Sequence, residues 1–226
     1  MKQYTLRLEL LSPALIASGE GFGSVIDTDI VFDEVGIPFI PAKRIKGCLL
    51  DSAREVKAMF GSAEIPETDM PVQLEKVFGL PGAEKSAPVF FSNLFIEDYK
   101  ENQAWLQYYL SLKKGRHLQY GNILSRESIL ETFTEIRQQT AIDEDGVAKE
   151  HSLRTFRLAR KDLVFYGDLQ MEENENGLLE TIVLACMNFR RMGSVRNRGF
   201  GEVRCSLLDK DNEIPIQDRL EALCIR

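Results

Sequence analysis

Five arginines (Arg190, Arg191, Arg196, Arg198 and Arg204) stand against one acid, Glu202, in a fifteen-residue stretch carrying +4 within a chain of net charge −7. Gly193, Gly199 and Gly201 are interleaved with them. A residue without a Cβ lets a bulky polymer approach the main chain, and guanidinium forks donate in pairs to phosphate, so this pattern points to a sugar-phosphate backbone as the ligand. The loop follows a helical segment and precedes a strand, which reverses the strand-loop-helix order of dinucleotide and P-loop sites and argues against a nucleotide cofactor. A second cationic group, Lys43, Arg44 and Lys46, falls in the first turns of a helix beginning at Ala42. Cations there have the wrong sign for the helix dipole, a conflict that an anionic partner resolves. The acids Asp27, Asp29 and Asp33 lie just upstream, while the two histidines, His117 and His151, are far apart in sequence. Cys48, Cys186, Cys205 and Cys224 stand singly, which fits neither a metal knuckle nor a disulfide framework.

The elements that must hold these groups follow from periodicity. Tyr4, Leu6, Leu8 and Leu10 alternate with polar residues and predict a half-buried first strand. The glycine-rich stretch from Ser18 to Ser24 predicts a loop, Val25 to Phe32 an extended segment, and Asp33 to Gly36 a turn. Ile45, Leu49, Ala53, Val56 and Phe60 recur at helical spacing after Pro41. A short helix is expected near Val72 to Phe78, a buried strand over Ala87 to Ile96, and broken helix over Lys100 to Glu131, where Trp105, Tyr108, Tyr109 and Leu112 read as a core-facing stripe. Asp145-Gly146 signals a turn between β-prone arms, Phe133 to Thr140 and Leu153 to Leu169, so an extended hairpin insertion is expected over about 133–168. Leu178 to Arg191 predicts a helix and Glu202 to Leu207 a last main strand. The order is the ferredoxin-like βαββαβ of the α/β (α+β) class, RRM-like in outline, on one domain spanning 1–226 with insertions.

Three separated motifs then resemble the RAMP superfamily of CRISPR-associated proteins, and within it the repeating backbone subunit of type III (Csm and Cmr) effector complexes. Ile37 to Gly47, IPFIPAKRIKG, is similar to the family's helix-opening motif, with Ala42, Lys43 and Arg44 where the family carries Gly-Ser-Ser and with Lys46 matched. Thr140 to Glu150 resembles the family's thumb hairpin, and Arg198-Gly-Phe-Gly201 its C-terminal glycine loop. The resemblance implies a CRISPR guide RNA bound along its backbone by Lys43, Arg44, Lys46, Arg196, Arg198, Gly199 and Gly201. It also implies a target RNA paired to that guide, other Cas subunits, and neighbouring copies or paralogues in a filament. Ile142, Val147 and Leu153 are the implied thumb wedges. Asp27, ten residues before Ile37, matches by position the family's target-cleaving aspartate, with Mg²⁺ or another divalent cation as its implied metal. Asp29 and Asp33 are neighbours that sequence counting does not separate from it. Two other readings stay open: a non-catalytic architectural subunit, and a guide-processing endoribonuclease with His117, beside Lys113, Lys114 and Arg116, as its base.

Composition bounds the setting. The chain has 226 residues, 44% hydrophobic, with no stretch approaching a membrane span and no basic-apolar leader pattern at MKQYTLRLELL, so a soluble, cytoplasmic protein without membrane contact is expected. The overall acidity argues against a general nucleic-acid coat, which leaves binding to the local basic edges.

Overall fold

The computed structural model describes residues 1–19, 25–63, 71–80, 82, 87–113, 124–172 and 177–215. In chain order the elements are β1 (Lys2–Leu10), α1 (Ala42–Ser62), α2 (Leu74–Phe78), β2 (Val89–Phe91), β3 (Phe95–Ile96), α3 (Tyr99–Lys113) and α4 (Arg126–Phe133). There follow β4 (Thr134–Gln139), β5 (Arg154–Ala159), β6 (Val164–Met171), α5 (Leu178–Asn188), a 3₁₀ turn (Arg196–Arg198), β7 (Val203–Asp209) and β8 (Asn212–Glu213).

β1 buries Tyr4, Leu6, Leu8 and Leu10 and turns Thr5, Arg7 and Glu9 the other way, as its alternation requires. It lies at the centre of the main sheet, antiparallel to β6 on one side and to β7 on the other. The sheet order is β2-β6-β1-β7-β8, with β3 also paired to β6. Reading β1, α1, β2, β6, α5 and β7 as the six basic elements gives the ferredoxin-like fold, a split βαβ pair, as the sequence order predicts. The inner sheet face packs on α1 through Ile45, Leu49 and Ala53 and on α5 through Leu178, Ile182 and Ala185. Each such side chain larger than alanine contributes on the order of 2 kcal/mol by leaving water. Ser52 Oγ donates to the Ala185 carbonyl at 2.8 Å, a buried polar tie that fixes one helix against the other.

The expected strand over 87–96 is two short strands on the same partner, β2 opposite Met171 to Leu169 and β3 opposite Tyr166 and Phe165. Between them Ser92 Oγ accepts from the Asp168 N–H at 2.7 Å. The hairpin also divides differently from its expected 133–168 span. β4 and β5 form a two-stranded sheet of their own, from Thr134↔Ala159 to Gln139↔Arg154. Residues 164–171 instead form β6 of the main sheet, because Phe165, Leu169 and Met171 alternate inward and enter the common core. Arg160 closes the hairpin base, donating to the Thr134 and Glu131 carbonyls at 2.8 and 3.0 Å.

α3 and α4 build a small second core with Val35, Ile37 and Ile129, against which Tyr99, Leu106 and Leu110 pack. The Asp33 carboxylate organises it, accepting from the N–H groups of Val35, Gly36 and Ile37 and from Tyr99 Oη at 3.0 Å. Burial, followed by that hydrogen bond to Asp33, pushes the Tyr99 phenol up to about 12. Because residues 99, 106 and 110 are the stripe that packs, the expected core stripe turns outward. Trp105, Tyr108 and Tyr109 are 55%, 55% and 51% exposed and touch chiefly one another.

Candidate nucleic-acid interface

One buried segment, Pro13 to Ala17, gathers the separated motifs. The Pro13 carbonyl accepts from the Gly201 N–H at 2.8 Å, and Leu15 bridges to Ser194, so the arginine-glycine loop is fastened to it. Ala14 bridges to Ala159 at the end of the hairpin. Ala17 bridges to Ile30 and its carbonyl accepts from Arg44 Nη2 at 2.6 Å, which brings in the aspartate segment and the start of α1. Loop, hairpin, helix start and Asp27 segment therefore surround one strip of backbone that carries no motif of its own.

The three aspartates separate by environment. Asp33 is consumed by its turn. Asp29, only 5% exposed at its side chain, pairs with Arg157 Nη1 at 2.9 Å and accepts from the Ile30 N–H at 2.8 Å. Asp27 is the open one: its side chain is 42% exposed, Oδ2 accepts from the Thr155 N–H at 2.7 Å, and Oδ1 lies 3.8 Å from Arg154 Nη1. Main-chain pairing of Asp27 and Thr28 with Thr155 sets this carboxylate beside the root of β5.

The glycines divide in the same way. A Cβ on Gly201 would stand 1.9 Å from the Met192 carbonyl oxygen, and one on Gly193 2.5 Å from that of Leu15, so the protein's own backbone requires both. Gly199 has positive φ (80°) but meets nothing within 4 Å and faces open space. Gly201→Ala is therefore expected to cost on the order of 2–4 kcal/mol, against about 1 kcal/mol for Gly199→Ala, whose penalty is backbone strain alone. Thermal denaturation of the two variants checks this, and equal melting temperatures would refute the distinction.

Among the cations, Arg196 and Arg198 are exposed, and Arg198 Nη1 donates to Gln139 Oε1 at 3.0 Å, bracing the loop against the end of β4. Lys43 is exposed and Lys46 half-buried, and neither forms an ion pair among the described residues. Arg44 is half-buried and has one guanidinium nitrogen committed to the Ala17 carbonyl. The N-cap residue Pro41 gives α1 no side-chain cap and its first turn has no acid, but the Ala42 N–H donates to the distant Asn93 Oδ1 at 2.8 Å. Gln139, Thr155 and Asn93 escaped the sequence reading because each acts across a long sequence separation.

On the hairpin, Ile142, Val147 and Leu153 are all exposed, together with Ile136. The turn at 144–146 holds its shape through Asp143 Oδ1, which accepts from the Asp145 and Val147 N–H groups at 3.1 and 2.8 Å. Asp143, Glu144, Asp145 and Glu150 outnumber Lys149, so the tip repels phosphate and presents its apolar side chains instead. His151 sits exposed beside it with φ 57°, and His117 lies outside the described residues.

Asp27 supplies a single carboxylate, with one oxygen engaged by the Thr155 N–H and the Arg154 guanidinium nearby, so a divalent ion there would take its remaining donors from water and a bound phosphate. No group of three or more His, Cys, Asp or Glu among the described residues is placed to hold a metal. No helix among them is long and apolar enough to cross a membrane.

A ferredoxin-like antiparallel domain bearing a cationic glycine loop and a side hairpin is the class of protein that the elements define. Within that class, the RAMP superfamily model matches residues 7–204, and the chain belongs to this family. Two solved structures share the fold. A chain of the type III-B Cmr-beta complex bound to cognate target RNA superposes with a TM-score of 0.60 at 13% identity, covering 92% of this chain and 97% of that one. A chain of the type III-B Cmr-beta apo state does so at 0.58 and 14% identity, covering 92% and 98%. No curated protein sequence matches.

Proposed function

We propose that this chain is a guide-RNA-binding backbone subunit of a type III CRISPR effector complex, assembled with other Cas subunits and neighbouring copies, and that it cleaves complementary target RNA through Asp27. The observation that carries the reading is the convergence of the arginine-glycine loop, the cationic start of α1 and an open carboxylate on the strip 13–17, beside a hairpin with an apolar exposed edge. Guide phosphates lie along Lys43, Lys46, Arg196 and Arg198, where Gly199 leaves room for close approach. Base pairing reads sequence while the protein grips backbone and shape. Ile142, Val147 and Leu153 wedge at the paired bases and splay a target nucleotide.

At that nucleotide Asp27 accepts the 2′-hydroxyl proton as the 2′-oxygen attacks the adjacent phosphorus. The bond to the 5′-oxygen breaks, leaving a 2′,3′-cyclic phosphate and a 5′-hydroxyl that takes its proton from water. The Thr155 N–H fixes the carboxylate for this role. The same hydrogen bond favours a second reading, in which Asp27 is only a clasp for the hairpin in an architectural subunit.

Binding is tested by salt titration. Alanine at Lys46, Arg196 or Arg198 is expected to weaken single-stranded RNA binding without regard to sequence, each lowering the slope of log K against log salt by about 0.7. Unchanged slopes in all three variants would sink the assigned interface.

A further inference from the structure

Between α1 and the C-terminal end of α5 lies a cleft of about 360 Å³, within the size range of small-molecule sites. Asp51 and Glu55 stand on its α1 side, and Arg190, Arg191 and Arg196 on the other. No ion pair within 4 Å joins the two sides among the described residues. Both walls are held in place. Asn188 Nδ2 donates to Glu55 Oε2 at 2.9 Å and to the buried Ser52 Oγ at 3.2 Å, and Arg191 Nη1 donates to the Arg196 carbonyl at 2.9 Å.

Asp51 pairs with Arg54 on its own helix at 3.1 Å, which leaves Glu55 as the acid facing the arginines. Opposite charges that do not meet suit a ligand that is anionic at one end and rich in N–H donors at the other. A nucleotide has this character. Among the bases, guanine alone presents two adjacent donors, N1–H and the 2-amine, to match the two oxygens of a carboxylate. The cleft also continues the interface already described. Arg196 belongs to both, and Cys48, which lines the cleft, follows Lys46 by two residues on α1.

We propose that this cleft is a guanosine-nucleotide subsite, with the base against Glu55 and the phosphate against Arg190, Arg191 and Arg196. It rests on the RNA-binding reading above, which supplies RNA as the source of the nucleotide. The same chemistry also fits free guanosine monophosphate, and the test separates the two.

Affinity of the full chain is measured for a short single-stranded RNA carrying one guanosine, for the same RNA carrying inosine, which lacks the 2-amine, and for the free guanosine and inosine monophosphates. The guanosine RNA is expected to bind about tenfold more tightly than the inosine RNA, and Glu55→Gln is expected to erase that difference. Since inosine alters only the ligand, the comparison does not depend on a variant folding. The preference appearing in the free nucleotides but not in RNA supports the site and makes a free nucleotide its occupant. RNA that binds with equal affinity in both forms, with no preference between the free nucleotides, overturns the inference and leaves the RNA-binding reading standing. If no RNA or nucleotide binds at all, both fall.

Discussion

Asp27→Asn is expected to leave target RNA binding by the assembled complex unchanged and to slow target cleavage by about a hundredfold or more, the range for loss of a positioned proton acceptor. The substitution is chosen for what it keeps. Asparagine has nearly the same shape, and its carbonyl oxygen can still accept from the Thr155 N–H that now holds Oδ2 at 2.7 Å, so the start of β5 stays clasped. What is lost is the carboxylate's ability to take the 2′-hydroxyl proton. Asp27→Ala removes both, and is expected to weaken binding as well, because the segment at 27–28 then loses its side-chain tie to β5. The measurement is the rate of appearance of fragments ending in 2′,3′-cyclic phosphate from labelled target under single-turnover conditions. Full-rate cleavage by the asparagine variant would make Asp27 a structural clasp and the chain an architectural subunit.

The second large effect is on stability. Arg157→Met leaves the Asp29 carboxylate buried without the only cation within 4 Å of it among the described residues, and is expected to destabilise the fold by about 3–5 kcal/mol. In a domain of this size that corresponds to a fall in melting temperature of roughly 6–20 °C. The double variant Asp29→Asn with Arg157→Met is expected to recover most of the loss, since neither buried position then carries a charge. Thermal melts of the single and double variants decide it, and a single variant that melts with the wild type would show that the pair contributes little. The pair also matters for the site. It fastens the segment at 27–30 to β5, alongside the hydrogen bond from the Arg157 N–H to the Thr28 carbonyl at 3.1 Å, so its loss should loosen Asp27 before the sheet itself is affected.

The amino-acid sequence determined whatever depends on near neighbours. The period-two alternation of Tyr4 to Leu10 specified β1, and the helical recurrence of Ile45, Leu49, Ala53 and Val56 specified α1, because each pattern states which face meets the core. Asp145-Gly146 specified the hairpin turn, where Gly146 has φ 80°. The density of arginine and glycine between 190 and 204 marked a cationic loop from composition alone.

What the chain does to itself across long separations was settled only in three dimensions. Asp27, Asp29 and Asp33 are the same residue type within seven positions, and only the partners Thr155, Arg157 and Tyr99 distinguish an open carboxylate from a buried ion pair and a turn clasp. Residues 153–169 have one continuous β character, and local pattern does not say that 154–159 pairs with β4 while 164–171 joins β1. The same holds for α3, which carries two apolar stripes: periodicity pointed to Trp105, Tyr108, Tyr109 and Leu112 as the core face, but it is Tyr99, Leu106 and Leu110 that pack against Val35, Ile37 and Ile129, which leaves Trp105, Tyr108 and Tyr109 in water. Gly193 and Gly201 are required by carbonyls of Leu15 and Met192, and Arg44 is drawn to Ala17, so residues that read as RNA ligands serve the fold first. Sequence periodicity reports the direction a side chain faces, whereas the identity of what it meets is fixed by contacts whose partners lie tens to more than a hundred residues away.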